Sequence, residues 1–124
     1  MNSKEFEAVL KLPGPKRYEY FIKKVVDSEK VWGLYNDGWA MSQDNEGGIL
    51  IPFWPREEFA QFCAKDDWEN YLPKSINLYD YLDKWLPGIK KDGYKPSIFS
   101  NNQETVVVDI ETLFNDLKRE LDNY

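Results

Sequence analysis

The sequence of residues 31–42 is VWGLYNDGWAMS, in which two β-rich runs flank a turn signal that ends at Gly38. The runs predict two antiparallel strands, and Gly38 tolerates the positive φ that such a turn requires. A polar turn at residues 44–48 leads to a third run, residues 49–54. Together they predict a three-stranded antiparallel meander, in which Pro52 indicates an edge strand or a strand end. The predicted strands are residues 31–35, 39–42 and 49–54.

Helical patterns lie on both sides of this meander. Before it, Tyr18, Phe21, Ile22 and Val25 recur at helical spacing and predict an amphipathic helix that begins near Pro15. Four further helices are predicted from caps and apolar stripes: one capped by Ser3, one after Pro55, one that begins near Asn77 and is kinked or ended by Pro87, and one capped by Asp109.

The rest of the chain supplies a loop and a second pair of strands. Residues 66–73 are assigned to a loop, and residues 94–99 and 105–108 to a C-terminal hairpin across an Asn-rich turn. No repeat, linker or low-complexity segment is visible. We therefore predict one domain, residues 1–124. Its fold is α+β, with an antiparallel sheet of about five strands, the meander plus the hairpin, packed with about five helices.

Charge and cysteine content set expectations for partners and location. The chain has 16 basic and 22 acidic residues among 124, a formal net charge of −6, and Cys63 as its single cysteine. Nucleic-acid binding usually leaves a basic footprint, which is not visible, so a protein partner is expected and nucleic acid is not. No signal peptide or membrane-length apolar run is recognised. The simplest expectation is a cytoplasmic protein that uses no membrane.

The chain contains no histidine, which removes Ser-His-Asp and Cys-His machinery and mixed Cys/His zinc sites. Cys63 follows Phe59 and Phe62 late in a predicted helix, a setting typical of a buried hydrophobe rather than a nucleophile. The carboxylate pairs are explained by helix starts and solvated turns, and no phosphate-binding glycine loop is present. No catalytic residue, metal site or cofactor is predicted, and enzyme activity is not favoured.

The aromatic residues are the most informative candidates for function. Trp32, Trp39 and Trp54 fall one on each predicted meander strand. If they share a face, they form either part of the core, which is the more usual place for Trp, or an aromatic platform. Arg17 and Arg56 would complete such a platform as a binding site for a peptide or a planar ligand.

Several groups of residues, many of them containing Trp, also carry a resemblance that extends from about residue 12 to residue 117. They are residues 17–27, residues 31–34 with 38–40, residues 52–55 with Phe59, Ala60 and Trp68, and residues 85–89 with Asp92 and Gly93. In this order they resemble the DUF2750 family of small bacterial proteins. The resemblance implies a bacterial, cytoplasmic, single-domain protein. It implies no activity and no site residues, because none are assigned in that family.

Three hypotheses for function remain open at this point. The first is a protein-interaction or regulatory module, for example of the immunity-protein kind, because the chain is small and acidic, rich in aromatic residues and without a catalytic constellation. The second is a small-ligand-binding protein that uses the Trp-bearing sheet with Arg17 or Arg56. The third is an enzyme that relies on carboxylate, Lys or Tyr chemistry. The oligomeric state is not predicted.

Overall fold

A computed structural model describes residues 1–124, and its elements alternate between helices and short strands. The α-helices are α1 (Ser3–Leu10), α2 (Gly14–Ser28), α3 (Glu57–Phe62), α4 (Leu78–Asp80), α5 (Leu86–Lys91) and α6 (Ile110–Asp122). The strands are β1 (Lys30–Tyr35), β2 (Ser42–Gln43), β3 (Ile49–Phe53), β4 (Leu72–Asn77), β5 (Lys95–Ile98) and β6 (Val106–Val107). A 3₁₀ turn, Asp66–Trp68, precedes β4, and a π-helical turn, Tyr81–Trp85, joins α4 to α5.

The strands form two sheets, so the predicted single antiparallel sheet of about five strands is wrong. β1 and β4 make a two-stranded antiparallel ribbon. The second sheet has the order β2-β3-β5-β6, in which β3 and β5 are parallel and the outer pairs are antiparallel. The α+β class is confirmed, and so is the antiparallel pairing of the two C-terminal strands.

The predicted three-stranded meander is wrong, because its second strand, residues 39–42, is reduced to β2 and pairs with β1 only through the isolated bridge between Tyr35 and Trp39. β2 pairs with β3 only at Ile49 and Leu50, whereas beyond the end of β3 Trp54 exchanges two backbone hydrogen bonds with Trp32 of β1, at 2.9 and 2.7 Å. Pro52 lies between these contacts and has no N–H to donate. β1 therefore forms a single bridge with the residue that follows β3, and it takes β4 as its main partner instead.

β4 begins within the segment assigned to a loop from the sequence, where Pro73 argued against a strand. In β1, the backbone N–H and C=O of Trp32 point towards Trp54. The backbone N–H and C=O groups of the residues directly before and after Trp32 therefore point the other way, towards β4. Pro73 lies opposite Leu34, at a position whose backbone groups point away from β1. The missing N–H therefore costs the ribbon no hydrogen bond and makes the outer edge of β4 a poor template for further pairing.

The helices follow their sequence signals closely. α2 buries Phe21, Ile22 and Val25, as its stripe predicts, and the Asp109 carboxylate accepts a hydrogen bond from the Thr112 N–H at 2.8 Å to begin α6. The first cap is corrected by one residue. The Asn2 side chain, not Ser3, accepts a hydrogen bond, at 2.8 Å from the Glu5 N–H, because Ser3 is already the first helical residue.

One continuous cluster of buried apolar side chains connects both sheets with the helices. α6 contacts α2 and α5, and α3 contacts both strands of the β1–β4 ribbon. None of the helices combines the length and the apolar character that crossing a membrane would require.

Candidate functional site

The turn after β1 folds two aromatic rings onto one another. Asp37 and Gly38 adopt φ values of 54° and 151°, and the Asn36 N–H donates to the Gly38 carbonyl at 2.9 Å. The chain reverses, and Tyr35 and Trp39 form an isolated antiparallel bridge. Their ring centroids are 5.1 Å apart and the rings are inclined at 71°, an edge-to-face arrangement that aromatic pairs favour.

Gly33 lets the Trp39 indole lie directly against β1. A Cβ at this position would approach two carbon atoms of the Trp39 ring to 2.9 and 3.0 Å, which is closer than van der Waals contact allows. The absence of a side chain thus creates the seat for the ring. Because successive strand residues point to opposite faces, Trp32 faces away from Trp39.

Trp85 supports the Trp39 ring from the helical side. Its ring centroid lies 4.8 Å from that of Trp39, at 87°, and 6.0 Å from that of Phe53, which packs on Tyr81. Trp85 ends the π-helical turn, in which the Leu86 N–H donates to the Tyr81 carbonyl, five residues back. Single π turns recur at functional sites of helical proteins, and this association makes Trp85 a candidate site residue.

Lys74 covers the outer side of the two rings. It lies opposite Gly33 in the β1–β4 register, and its ammonium is 4.2 Å from the Tyr35 centroid and 5.7 Å from the Trp39 centroid. Both distances are within the range of cation–π attraction. The Lys74 ammonium makes no ion pair and no hydrogen bond in the structure.

Apolar side chains next to these rings remain uncovered. Leu72, directly opposite Tyr35 in the ribbon, is 68% exposed, and Met41, two residues after Trp39, is 47% exposed. The rings themselves are half-buried. We call this group the Trp39 surface and define it as Tyr35, Trp39, Leu72, Lys74 and Trp85.

A second candidate lies on the opposite face of β1, where Trp32 and Arg56 line a cavity of about 330 Å³. Its charged residues are Lys24, Lys30, Arg56, Asp27, Glu57 and Glu58. Arg56 pairs with Glu58 at 3.3 Å and Lys24 with Asp27 at 3.8 Å, whereas Lys30 has no ion-pair partner. The structure therefore brings together two of the five residues singled out from the sequence.

Two further sequence candidates, Trp54 and Arg17, are fully buried. Trp54 packs on Trp68, and its Nε1–H donates to the Ser100 carbonyl at 3.0 Å. The Arg17 guanidinium donates to the carbonyls of Leu12 and Phe99, at 2.8 and 3.0 Å, and its remaining hydrogen bonds go to Glu104. The three Trp residues of the predicted strands therefore do not form one platform.

The groups whose pKa values are shifted chiefly by burial are phenols and a thiol. Burial raises the pKa of Cys63 to about 11, so its thiol stays protonated at neutral pH. Burial also raises the pKa of Tyr20 and of Tyr81, whose hydroxyl groups are enclosed without a hydrogen-bond partner. No carboxylate or lysine is buried, and no group of three or more carboxylate or thiol side chains could hold a metal ion.

Four members of the Trp39 surface, all except Trp39, were not singled out as site residues from the sequence. Leu72 was placed in the predicted loop of residues 66–73. Tyr35 and Trp85 were assigned to a strand and to a helix stripe, and Lys74 was left unassigned. One signal was present for Tyr35, because the turn Asn36-Asp37-Gly38 places the residues on either side of it next to each other. Lys74 had no such signal, because its position depends on the pairing of β4 with β1.

Comparison with known proteins gives a family and no described function. The family model described as "Protein of unknown function (DUF2750)" matches residues 18–117 of the 124-residue chain. The match includes every residue of the Trp39 surface and both Trp32 and Arg56. No curated protein matches the chain.

Proposed function

This chain belongs to the DUF2750 family, and from that premise we propose that it is a protein-interaction module that binds a partner through the Trp39 surface. The observation that carries the proposal is the group of half-buried rings at the end of the β1–β4 ribbon, where the exposed Leu72 lies opposite Tyr35 and the exposed Met41 follows two residues after Trp39. Aromatic residues and Met are enriched at protein interfaces, where such rings act as anchors.

The rigidity of the Trp39 surface supports this role. Trp39 is held between Tyr35 and Trp85 and lies on the backbone at Gly33, so its ring loses little conformational freedom when a partner covers it. Preorganised side chains of this kind increase affinity because less entropy is lost on binding. A regulatory protein of the immunity kind would act in this way, by occupying the surface of its target.

The proposal can be tested by capture from the native host with the tagged protein and two matched variants. Leu72→Asp places a charge on the Trp39 surface, and Val107→Asp places the same charge on an exposed apolar residue of β6. We expect a stoichiometric partner that is retained by the wild type and by Val107→Asp and is lost with Leu72→Asp. Equal retention by the two variants, with both shown to be folded, would contradict the use of this surface.

A second candidate function, small-ligand binding, is supported by the cavity that Trp32 and Arg56 line. Its volume of about 330 Å³ is at the lower end of the range for ligand pockets. Its lining combines the Trp32 indole with equal numbers of basic and acidic residues, which suits a planar compound that carries polar groups. Tryptophan fluorescence titrations against a metabolite library test it, with Trp32→Phe as the control that removes the reporting ring. If no compound quenches the wild type more than this variant, the cavity has no ligand in the library.

A further inference from the structure

We propose that the rings of Tyr35 and Trp39 form a binding site for a Lys or Arg side chain of the partner protein, and that Lys74 occupies this site in the free protein. The inference rests on the proposed function, since it names the chemistry by which the Trp39 surface recognises its partner. Lys74 is then an internal competitor, which must leave the rings before the partner's cation takes its place.

The geometry of the two rings suits a cation. They meet at 71° with centroids 5.1 Å apart, so they form two walls of a corner, and the Lys74 ammonium lies within 6 Å of both centroids. The negative faces of Tyr and Trp rings attract ammonium and guanidinium groups at these distances. The site therefore already accommodates the type of group that we propose as its ligand.

Lys74 lies on aromatic rings and not beside a carboxylate. The chain has 22 acidic residues against 16 basic ones, and five of its lysines, Lys23 and Lys90 among them, pair with carboxylates. Lys74 instead places its ammonium on two aromatic rings and has no carboxylate partner. The rings alone hold this cation, and because it is tethered to the exposed strand β4 by a flexible side chain, it can move out into water.

The charge of the protein is complementary to that of a basic partner. The protein has a net charge of −6, and the exposed Asp37 lies in the turn between Tyr35 and Trp39. This field attracts cationic surfaces. A cation that binds the rings within an interface is shielded from water. Cation–π attraction is stronger in that setting than at the exposed position that Lys74 occupies. The rings therefore attract a partner's Lys or Arg more strongly than they attract Lys74.

The experiment uses the full chain and two probes, tetramethylammonium chloride and the peptide acetyl-Gly-Lys-Gly-amide. Binding is followed through the indole N–H resonance of Trp39, which is assigned from its loss in Trp39→Phe. We expect saturable shifts in the wild type and, because the competitor is gone, about three- to sixfold tighter binding of both probes by Lys74→Gln. The titrations are made in 0.5 M NaCl, where the Debye length is about 4 Å, so that the loss of one positive charge has little effect by itself.

Lys84→Gln is the matched control. Lys84 is next to Trp85 in the chain, but it pairs with Asp80 at 3.9 Å and lies on neither ring. We expect this variant to bind both probes as the wild type does. The uncharged peptide acetyl-Gly-Gln-Gly-amide should cause no saturable shift in any variant.

Three results would overturn the inference. They are the absence of saturable binding to Lys74→Gln, equal gains in affinity for Lys74→Gln and Lys84→Gln, and binding of tetramethylammonium without the lysine peptide, which would indicate a small quaternary ammonium ligand instead of a partner's side chain. If any one of these results occurs while Leu72→Asp still loses the captured partner, only the cation site is wrong. If the cation site is found but no partner depends on Leu72, the proposed function fails instead.

Discussion

At the scale of single residues, burial decides the chemistry of Cys63. Its side chain is 1% exposed, and its thiol donates to the Ser100 carbonyl at 3.3 Å, the same oxygen that accepts from the Trp54 indole. Loss of hydration raises the pKa of the thiol to about 11, because the thiolate cannot be solvated there. Cys63 therefore acts as a small apolar residue with one hydrogen bond.

The raised pKa of Cys63 makes a prediction about alkaline stability. The unfolded thiol titrates near pH 9 and the folded one near pH 11, so the folded state binds the proton more tightly. Its contribution is complete below pH 9, and the free energy of unfolding should fall by about 2–3 kcal/mol as the pH rises from 9 to 11. Urea denaturation across this range should show a steeper fall for the wild type than for Cys63→Ser, which keeps the donor without the titration. Parallel curves for the two proteins would contradict the prediction.

At the scale of secondary-structure elements, the glycines of β1 and α5 have opposite roles. Gly33 faces the Trp39 ring, which a Cβ on this residue would approach to 2.9 Å. A Cβ on Gly88 in α5, by contrast, would meet no atom within 4 Å. The first glycine is required by close packing. The second only weakens its helix.

We therefore expect Gly33→Ala and Gly88→Ala to change stability in opposite directions. Gly33→Ala should lower the free energy of unfolding by about 1–3 kcal/mol, because the ring or the strand must move. Gly88→Ala should raise it by about 0.5–1 kcal/mol through helix propensity and a less flexible unfolded chain. Chemical denaturation of both variants measures the difference, and a stabilised Gly33→Ala would show that the Trp39 ring is not held against β1.

At the scale of the whole molecule, Arg17 ties distant parts of the chain together. It is on α2, yet it donates to the Leu12 carbonyl before that helix and to the Phe99 carbonyl and Glu104 of the loop after β5. Its side chain is fully buried, and the Glu104 side chain is 58% exposed. The backbone carbonyls, rather than the ion pair, thus account for most of its contribution.

Arg17→Lys is expected to destabilise the protein by about 2–4 kcal/mol, because an ammonium cannot reach all the acceptors of the planar guanidinium and leaves buried carbonyls without donors. Arg119→Lys is the matched control, since Arg119 is 71% exposed and pairs only with Asp116, at 3.2 Å. It should change the free energy of unfolding by less than about 0.5 kcal/mol. Urea denaturation compares the two, and similar values would mean that Arg17 is not a structural tie.

The candidate site could be predicted from the sequence only in fragments. The turn that ends at Gly38 identifies Tyr35 and Trp39 as neighbours, because the signal lies within three residues. The value of Trp39 as a candidate was also visible, because Trp is rare and interfaces favour it. The position of Lys74 on the rings could not be predicted, because it follows from the pairing of β4 with β1, and Pro73 argued against a strand there.

The sequence by itself determined the helices, the turns, the α+β class and the absence of histidine chemistry, because caps, apolar stripes and turn residues act over a few positions along the chain. The tertiary structure decided which strands pair, that Arg17 and Trp54 lie inside, and that Lys74 lies on the rings of Tyr35 and Trp39. These arrangements join residues far apart in the chain. They depend on the packing of the whole core and on a few backbone positions, such as Pro52 and Gly33. The missing N–H of Pro52 and the missing side chain of Gly33 matter only when another strand or ring packs against them.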